Sequence, residues 1–371
     1  MKKILFFSVY PAPYRTVIVD KLMECFDVDA FFESSDGDER NKEWFSERKI
    51  NSLDSENGRN EFRYCKKNLN KYDLVYFADY TCKDAIKLIL KCRRKKVPYV
   101  INCDGEMLIK HGNFIKDFLK KYLISGAAGY FASGVHAERY FLRYGVKKEK
   151  IYFHKFTSVY QKDMLNEPLA TADKIRLREK LNIPVGGKIA VAVGRFIPLK
   201  RYDALIESWK GMSKTDYLLL IGGGPEKEKY EKIIKALNIN NIIIEDFHKP
   251  TEIFEYLRAA DVFVHPTSYD VWGLVVNEAM ASGLPVVVSD TCVAGRELIT
   301  DGKNGYLVKL YDDKTFIDKV KLLFSDDELR KNAAVNALST IKDFTVENMV
   351  DTLVKNIDKI IAAKEIMGKR K

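Results

Sequence analysis

The chain has 371 residues, 46% hydrophobic and 12% aromatic, with 62 Lys and Arg against 52 Asp and Glu. That length allows about two domains of roughly 150 residues each, and the recurring apolar runs exclude a disordered chain. Six scattered cysteines without CxxC or zinc-ligand spacing exclude a disulfide scaffold and suit a reducing cytoplasm, and no run of about 18 apolar residues is present to cross a membrane. The charge is uneven. Residues 1–185 hold 35 basic and 25 acidic side chains, whereas 186–371 hold 27 of each. The whole excess of +10 lies in the first half, which points to an anionic partner for that half.

Met1, Lys2 and Lys3 precede a short apolar run that ends at Pro11-Ala12-Pro13. The run has no small-residue cleavage site after it, so a buried first strand is expected at 4–9 rather than a leader. Further strands are expected at 28–32, 74–78, 99–102, 130–132 and 151–156, with helices at 14–26, 82–96, 113–126 and 136–144. The polar stretch 161–180 and the turn Ile183-Pro184-Val185-Gly186-Gly187 mark a boundary between about 160 and 187. Beyond it, strands are expected at 189–193, 218–222, 242–245, 262–265, 286–289 and 306–308. Helices are expected at 202–212, 226–238, 251–259, 274–282, 313–324 and 327–341. Apolar strands alternating with helices predict parallel sheets covered on both faces. The fold class is therefore α/β, with doubly wound, Rossmann-like domains at 1–170 and 186–343. A last helix in 344–371 is marked by Val346, Met349, Leu353, Ile357 and Ile360 at helical spacing.

Three signals follow strands of the second half. Val193-Gly194-Arg195 leads to Lys200 and Arg201, a planar fork and a point charge suited to phosphate oxygens. Gly222-Gly223-Gly224-Pro225-Glu226 lets a backbone approach a ligand, or forms a tight turn before a helix. The densest signal is Asp270, then Gly273, Leu274 and Val275 opening a helix, then Glu278. A helix start at the carboxyl end of a strand favours an anion, and Glu278 can accept two hydrogen bonds from a ribose diol. The plainer reading is a solvated Glu with Asp270 as a loop cap.

Together, Gly194-Arg195-x4-Lys200, Gly222-Gly223-Gly224-Pro225-Glu226 and Asp270-x7-Glu278-Ala279-Met280-Ala281-x-Gly283-x-Pro285-Val286 resemble the pattern of glycosyltransferase family 4. Gly295-Arg296-Glu297 and Asp301-Gly302-x-Asn304-Gly305 fit it as well. The resemblance is detailed over about 188–310 and only general before it. It implies the GT-B fold of two facing Rossmann-like domains, with a C-terminal helix crossing back to the first. It also implies transfer of a sugar from a nucleoside diphosphate, UDP being the expected carrier, with retention at the anomeric carbon and with no metal or other cofactor. By position it gives Arg195, Lys200 and the amides of Gly273, Leu274 and Val275 to the diphosphate, Gly194, Gly223 and Gly224 to donor binding, Glu278 to the ribose, and the Phe247–His248 segment to the base. Asp270 falls to the donor sugar and, with Arg195 and Lys200, to catalysis. The family has Glu at position 270, so this chain reaches one methylene less.

The first half is less explicit. Tyr10-Pro11-Ala12-Pro13-Tyr14-Arg15 is a stiff loop from which Arg15 is expected to reach the acceptor or the diphosphate, unless the prolines only stiffen a turn. Asp104, near Glu106 and His111, lies where relatives place a His beside the donor sugar; it is expected to orient a hydroxyl catalytically or to cap a turn. The helix at 113–126 carries Phe114, Phe118 and Tyr122 at spacing four, with Lys116, Lys120 and Lys121 on other faces. It can pack in a core, or lie on an anionic membrane beside the basic run from Lys91 to Lys96. The resulting expectation is a cytoplasmic transferase, peripheral at the inner face of the plasma membrane. Its acceptor is expected to be a lipid-linked oligosaccharide or polysaccharide of capsule type. A nonhydrolysing sugar-nucleotide epimerase is the alternative. Nucleic acid is not expected as a partner, since no recognition signature accompanies the basic residues.

Overall fold

The computed structural model describes residues 1–35, 51–105 and 114–369. Contacts divide the chain into two compact units. Unit 1 is Met1–Phe156 with Glu347–Lys371, and unit 2 is Thr157–Val346.

Unit 1 strings β1 (Lys3–Ser8), α1 (Pro13–Met23), β2 (Asp27–Phe32), α2 (Glu56–Lys67), β3 (Leu74–Phe77), α3 (Lys83–Lys95), β4 (Tyr99–Cys103), α4 (Phe114–Ser125), β5 (Gly129–Ala132), α5 (Val135–Arg143) and β6 (Ile151–Phe153). The strands form one parallel sheet in the order β2-β1-β3-β4-β5-β6. Strands such as Ile4-Leu5-Phe6-Phe7 are apolar at every position because helices cover both faces. On one face Phe6 stacks on Tyr76, and Tyr76 on Phe131.

Unit 2 begins with a loop and α6 (Thr171–Lys180). It continues through β7 (Ile189–Val193), α7 (Tyr202–Trp209), β8 (Tyr217–Ile221), α8 (Lys227–Ala236), β9 (Ile242–Glu245), α9 (Pro250–Ala259), β10 (Val262–His265), α10 (Leu274–Ala281), β11 (Val286–Ser289), α11 (Val293–Leu298), β12 (Gly305–Val308), α12 (Asp313–Ser325) and α13 (Asp327–Ile341). Its parallel sheet runs β12-β11-β10-β7-β8-β9. The last helix, α14 (Val346–Lys369), belongs to unit 1 apart from its first residue. Met349, Leu353 and Ile357 on it are fully buried. Gly129 on β5 makes room for it, since a Cβ there would stand 2.4 Å from Ile360 Cδ1.

Both sheets are doubly wound, and in such sheets ligands bind beyond the carboxyl ends of the strands where the strand order reverses. That switch lies between β1 and β3 in unit 1 and between β7 and β10 in unit 2. The strands occur where the apolar runs predict them. Two helices, α2 and α11, do not follow from the sequence pattern.

Residues 157–180 group with unit 2. Leu165 donates its amide to Ala281 O at 3.0 Å. Arg178 on α6 is buried, with Nη2 2.7 Å from Asp261 Oδ2 and Nε donating to Ala259 O at 2.9 Å. A buried guanidinium needs such partners, so α6 is tied to unit 2 rather than free as a linker. By these limits unit 1 carries 36 Lys and Arg against 25 Asp and Glu, and unit 2 carries 26 against 27.

Candidate functional site

At the β7–β10 switch, loops from four strands are locked together by backbone. Gly194 follows β7 at φ +156°, and its amide donates to Ile221 O at 3.0 Å. A Cβ on Gly222 would lie 2.0 Å from Gly194 O, and one on Gly224 would lie 2.6 Å from Phe196 O. With φ of +146° and +145°, both positions demand glycine. Phe196 donates its amide to Gly223 O at 2.8 Å, and the Phe247 ring lies against Gly223. The tight-turn alternative needs one glycine; the close approach of the two loops accounts for the others.

The 3-10 turn Pro198–Lys200 then brings Lys200 to the loop after β10. Lys200 Nζ donates to Asp270 Oδ2 at 2.5 Å. The two loops are pinned where the Ser268 amide and the Thr267 hydroxyl both donate to Leu199 O, at 2.7 and 3.0 Å. Gly273 stands before α10 at φ +99°, and a Cβ there would meet Cys292 Sγ at 2.6 Å. Leu274 and Val275 open α10, and the first amides of a helix lack partners within it, so they carry partial positive charge. Arg195 sits half-buried beside Gly194.

The two carboxylates differ. Burial favours the neutral form of Asp270, but the Lys200 charge and the His265 hydrogen bond outweigh it and hold the group well below the usual carboxylate range. Burial lifts the Glu278 carboxyl above its ordinary range, opposed by a hydrogen bond from Ser158. Ser158 Oγ donates to Glu278 Oε1 at 2.7 Å, a contact of the kind expected from a ribose hydroxyl. His248 is engaged elsewhere, its ring 4.7 Å from that of Tyr256 and its Nδ1 3.4 Å from Glu252.

The structure thus brings Gly194, Lys200, Gly223, Gly224, Asp270 and Gly273 into one layer of loops, with Leu274, Val275 and Glu278 on the helix that follows. Cations, glycine loops and a helix start at a switch point suit the oxygens of a diphosphate, and carboxylates suit sugar hydroxyls. Sequence reasoning missed His265 and Ser158. His265 reads as the end of an apolar strand, and Ser158 lies 120 residues from its partner.

At the unit 1 switch, Arg15 is buried. Its Nη2 donates to Asp104 Oδ2 and to Ala78 O at 3.1 Å, and lies 3.8 Å from Asp79. The Asn102 amide also donates to Asp104, so this carboxylate is held by an ion pair with Arg15 and by a neutral donor. Burial lifts the Asp104 carboxyl above its ordinary range, with Arg15 opposing. Glu106 and His111 lie outside the described residues, as does the side chain of Lys116.

On α4, Leu123 and Ile124 are buried while Phe118, Leu119 and Tyr122 are exposed at 66%, 44% and 44%. The core reading thus holds for Leu123 and Ile124, at the end of the helix. Lys121 is exposed and Lys120 half-buried. Arg93 of α3 lies over the Tyr122 ring at 4.0 Å, and Arg94, Lys95 and Lys96 beside it are exposed. Burial, then the charges of Lys95, Arg94, Lys66 and Lys67, lower the pKa of Lys91, so α2 and α3 share one basic field. No helix among the described residues is long and apolar enough to cross a membrane.

Residues 173–340 match the family model of the glycosyl transferases group 1. That segment includes Gly194, Arg195, Lys200, Asp270, Gly273 and Glu278. Among curated relatives, the chain is 28% identical over 183 residues to the lipopolysaccharide core biosynthesis glycosyltransferase LpsE of Rhizobium meliloti, covering 48% of this chain and 52% of the relative. It is 31% identical over 183 residues to a D-inositol 3-phosphate glycosyltransferase of Xylanimonas cellulosilytica, covering 47% and 43%. The chain spans about half the length of the curated relatives it matches. The fold likeness is wider. Anabaena Alr3699/HepE, solved in complex with UDP, superposes with a TM-score of 0.78 at 16% identity over 97% of this chain and 100% of the other. Sucrose-phosphate synthase from Thermosynechococcus elongatus gives 0.77 at 18% identity over 98% and 100%. The fold is GT-B. The epimerase alternative finds no support in these relatives.

Proposed function

We propose that the protein is a retaining glycosyltransferase of family 4 that moves a hexose from a nucleoside-diphosphate sugar, UDP being the expected carrier, to a lipid-linked oligosaccharide. The observation that carries the reading is the meeting of Lys200, Asp270, the Gly194 and Gly222–Gly224 loops and the start of α10 at the unit 2 switch point. The family match over 173–340 supports it. In this reading Arg195, Lys200 and the amides of Leu274 and Val275 meet the diphosphate as negative charge builds on the leaving group. This is electrostatic stabilisation by groups already in place, and it asks for no metal. Asp270, held ionised, binds donor-sugar hydroxyls beside the electron-poor anomeric carbon, and Glu278 exchanges the Ser158 hydroxyl for the ribose diol.

Unit 1 takes the acceptor in this reading. The surplus of basic side chains there, with Phe118, Leu119 and Tyr122 exposed beside Lys121 and Arg94, supports peripheral attachment to an anionic membrane surface at its cytoplasmic face. Asp104 is offered as the group that orients the acceptor hydroxyl, with Arg15 as the residue that holds it. Assembly of a cell-surface polysaccharide such as a capsule is the reaction class that needs these two substrates.

The test supplies nucleotide sugars with a bacterial membrane-lipid extract and follows nucleotide release and labelled lipid. Transfer by the wild type, with most activity lost in folded Arg195→Ala and Glu278→Ala, is the expected result. Near-normal turnover in both variants contradicts it. Conversion of the nucleotide sugar with no acceptor present favours the epimerase.

A further inference from the structure

His265 ends β10 with its side chain fully buried, directly beneath the loop that carries Asp270. Its Nε2 lies 3.1 Å from Asp270 Oδ2, the same oxygen that Lys200 Nζ meets at 2.5 Å. The other ring nitrogen, Nδ1, is buried without a partner among the described residues. An ionised carboxylate can only accept. The hydrogen bond therefore requires the proton on Nε2, since the opposite tautomer would set lone pairs against each other at this distance. Both donors pull on one oxygen and leave Oδ1 of Asp270 without a hydrogen bond from the described residues, on a side chain that is 22% exposed.

The two donors differ in what a ligand can do to them. Lys200 is a single charge at the mouth of the Gly194 loop, and an arriving diphosphate competes with Asp270 for it. His265 is out of reach of any ligand and keeps its bond. Position 270 also carries the shorter acid, so its carboxylate depends more on what holds it than a glutamate on a longer arm.

Resting on the transferase reading above, we propose that His265 is the positioning residue of this site. Its Nε2–H anchors Asp270 Oδ2 so that Oδ1 stays turned to the donor sugar while Lys200 serves the diphosphate.

The test compares His265→Leu with His265→Gln, whose amide can still donate. UDP release is measured from UDP-glucose, UDP-galactose and UDP-N-acetylglucosamine. His265→Leu is expected to lower kcat roughly 10–100-fold, the cost of losing a hydrogen bond to a charged group. Its KM and its thermal stabilisation by UDP should change little, and His265→Gln should recover most of kcat. Wild-type kcat in His265→Leu overturns the proposal, as does equal loss in both variants with lowered melting temperatures, which marks a packing role. Imidazole nitrogen NMR reads the same bond without turnover. A protonated Nε2 whose shift moves in Asp270→Asn is expected, and an unprotonated Nε2 overturns the assignment. A wild type that releases UDP from none of the three sugars contradicts the transferase reading instead and leaves the NMR result to decide the bond.

Discussion

Both units end a six-stranded parallel sheet in charged residues at a switch point, but the two ends are finished differently. In unit 2 the loops after β7, β8 and β10 are glycine-backed, and Lys200 and Asp270 keep 15% and 22% of their side chains exposed. In unit 1 the corresponding end is closed over an ion pair, Arg15 with Asp104, exposed at 5% and 11%. A basic cluster of unit 1 lies instead on α3, with Lys66 and Lys67 of α2 acting on Lys91. Unit 2 concentrates a few cations at backbone that can approach a small anion, whereas unit 1 sets Arg93 against the Tyr122 ring with Arg94, Lys95 and Lys96 exposed beside it.

Four changes test this contrast. The largest effect is expected from Arg178→Ala, which leaves Asp261 buried without its guanidinium. Removing one partner of a buried pair costs about 3–5 kcal/mol, so the denaturant midpoint of unit 2 should fall while that of unit 1 holds. Lys200→Ala should cost roughly 100–1000-fold in kcat, the usual loss for one preorganised stabilising group, with the melting temperature near that of the wild type; steady-state kinetics beside calorimetry decide it. On unit 1, replacing Arg94, Lys95 and Lys96 together with Glu should weaken binding to vesicles containing anionic lipid on the order of 100-fold at low salt. Co-sedimentation measures this, and an unchanged affinity would remove the membrane from the account of the charge.

The smallest effect concerns pH. Burial, with the Arg15 charge adding to it, lowers the pKa of His154 from 6.5 to about 3. The unfolded chain then binds a proton that the folded chain refuses. The stability that depends on neutral His154 is fully present above about pH 6.5 and is lost as pH falls toward 3. His154→Phe should lose less stability than the wild type between pH 7 and pH 4.5 in urea titrations.

Much of the fold was legible in the sequence because strands buried on both faces read as unbroken apolar runs, as at Ile189–Val193 and Val286–Ser289. α2 was not legible, since it buries only Gly58, Phe62 and Cys65 among twelve largely polar residues. α11 is six residues long and too short to show a period. The unit 2 site was legible because glycine leaves a trace wherever backbones touch, as Gly222 does at Gly194. The pairing of Arg15 with Asp104 was not. These residues are 89 positions apart and meet only because β1, β3 and β4 are neighbours in the sheet. The basic contribution of α2 to the surface of unit 1 was hidden for the same reason.

In the proposed reading the unit 2 switch point binds a nucleoside diphosphate through Lys200 and its neighbouring amides. Thermal unfolding with UDP, compared between the wild type and Lys200→Ala, tests it most directly. UDP at 100 times its dissociation constant should stabilise the wild type by about 2.7 kcal/mol, and the same concentration should do much less for the variant. No stabilisation of the wild type by UDP or by any other nucleoside diphosphate, or equal stabilisation of both proteins, would contradict the account.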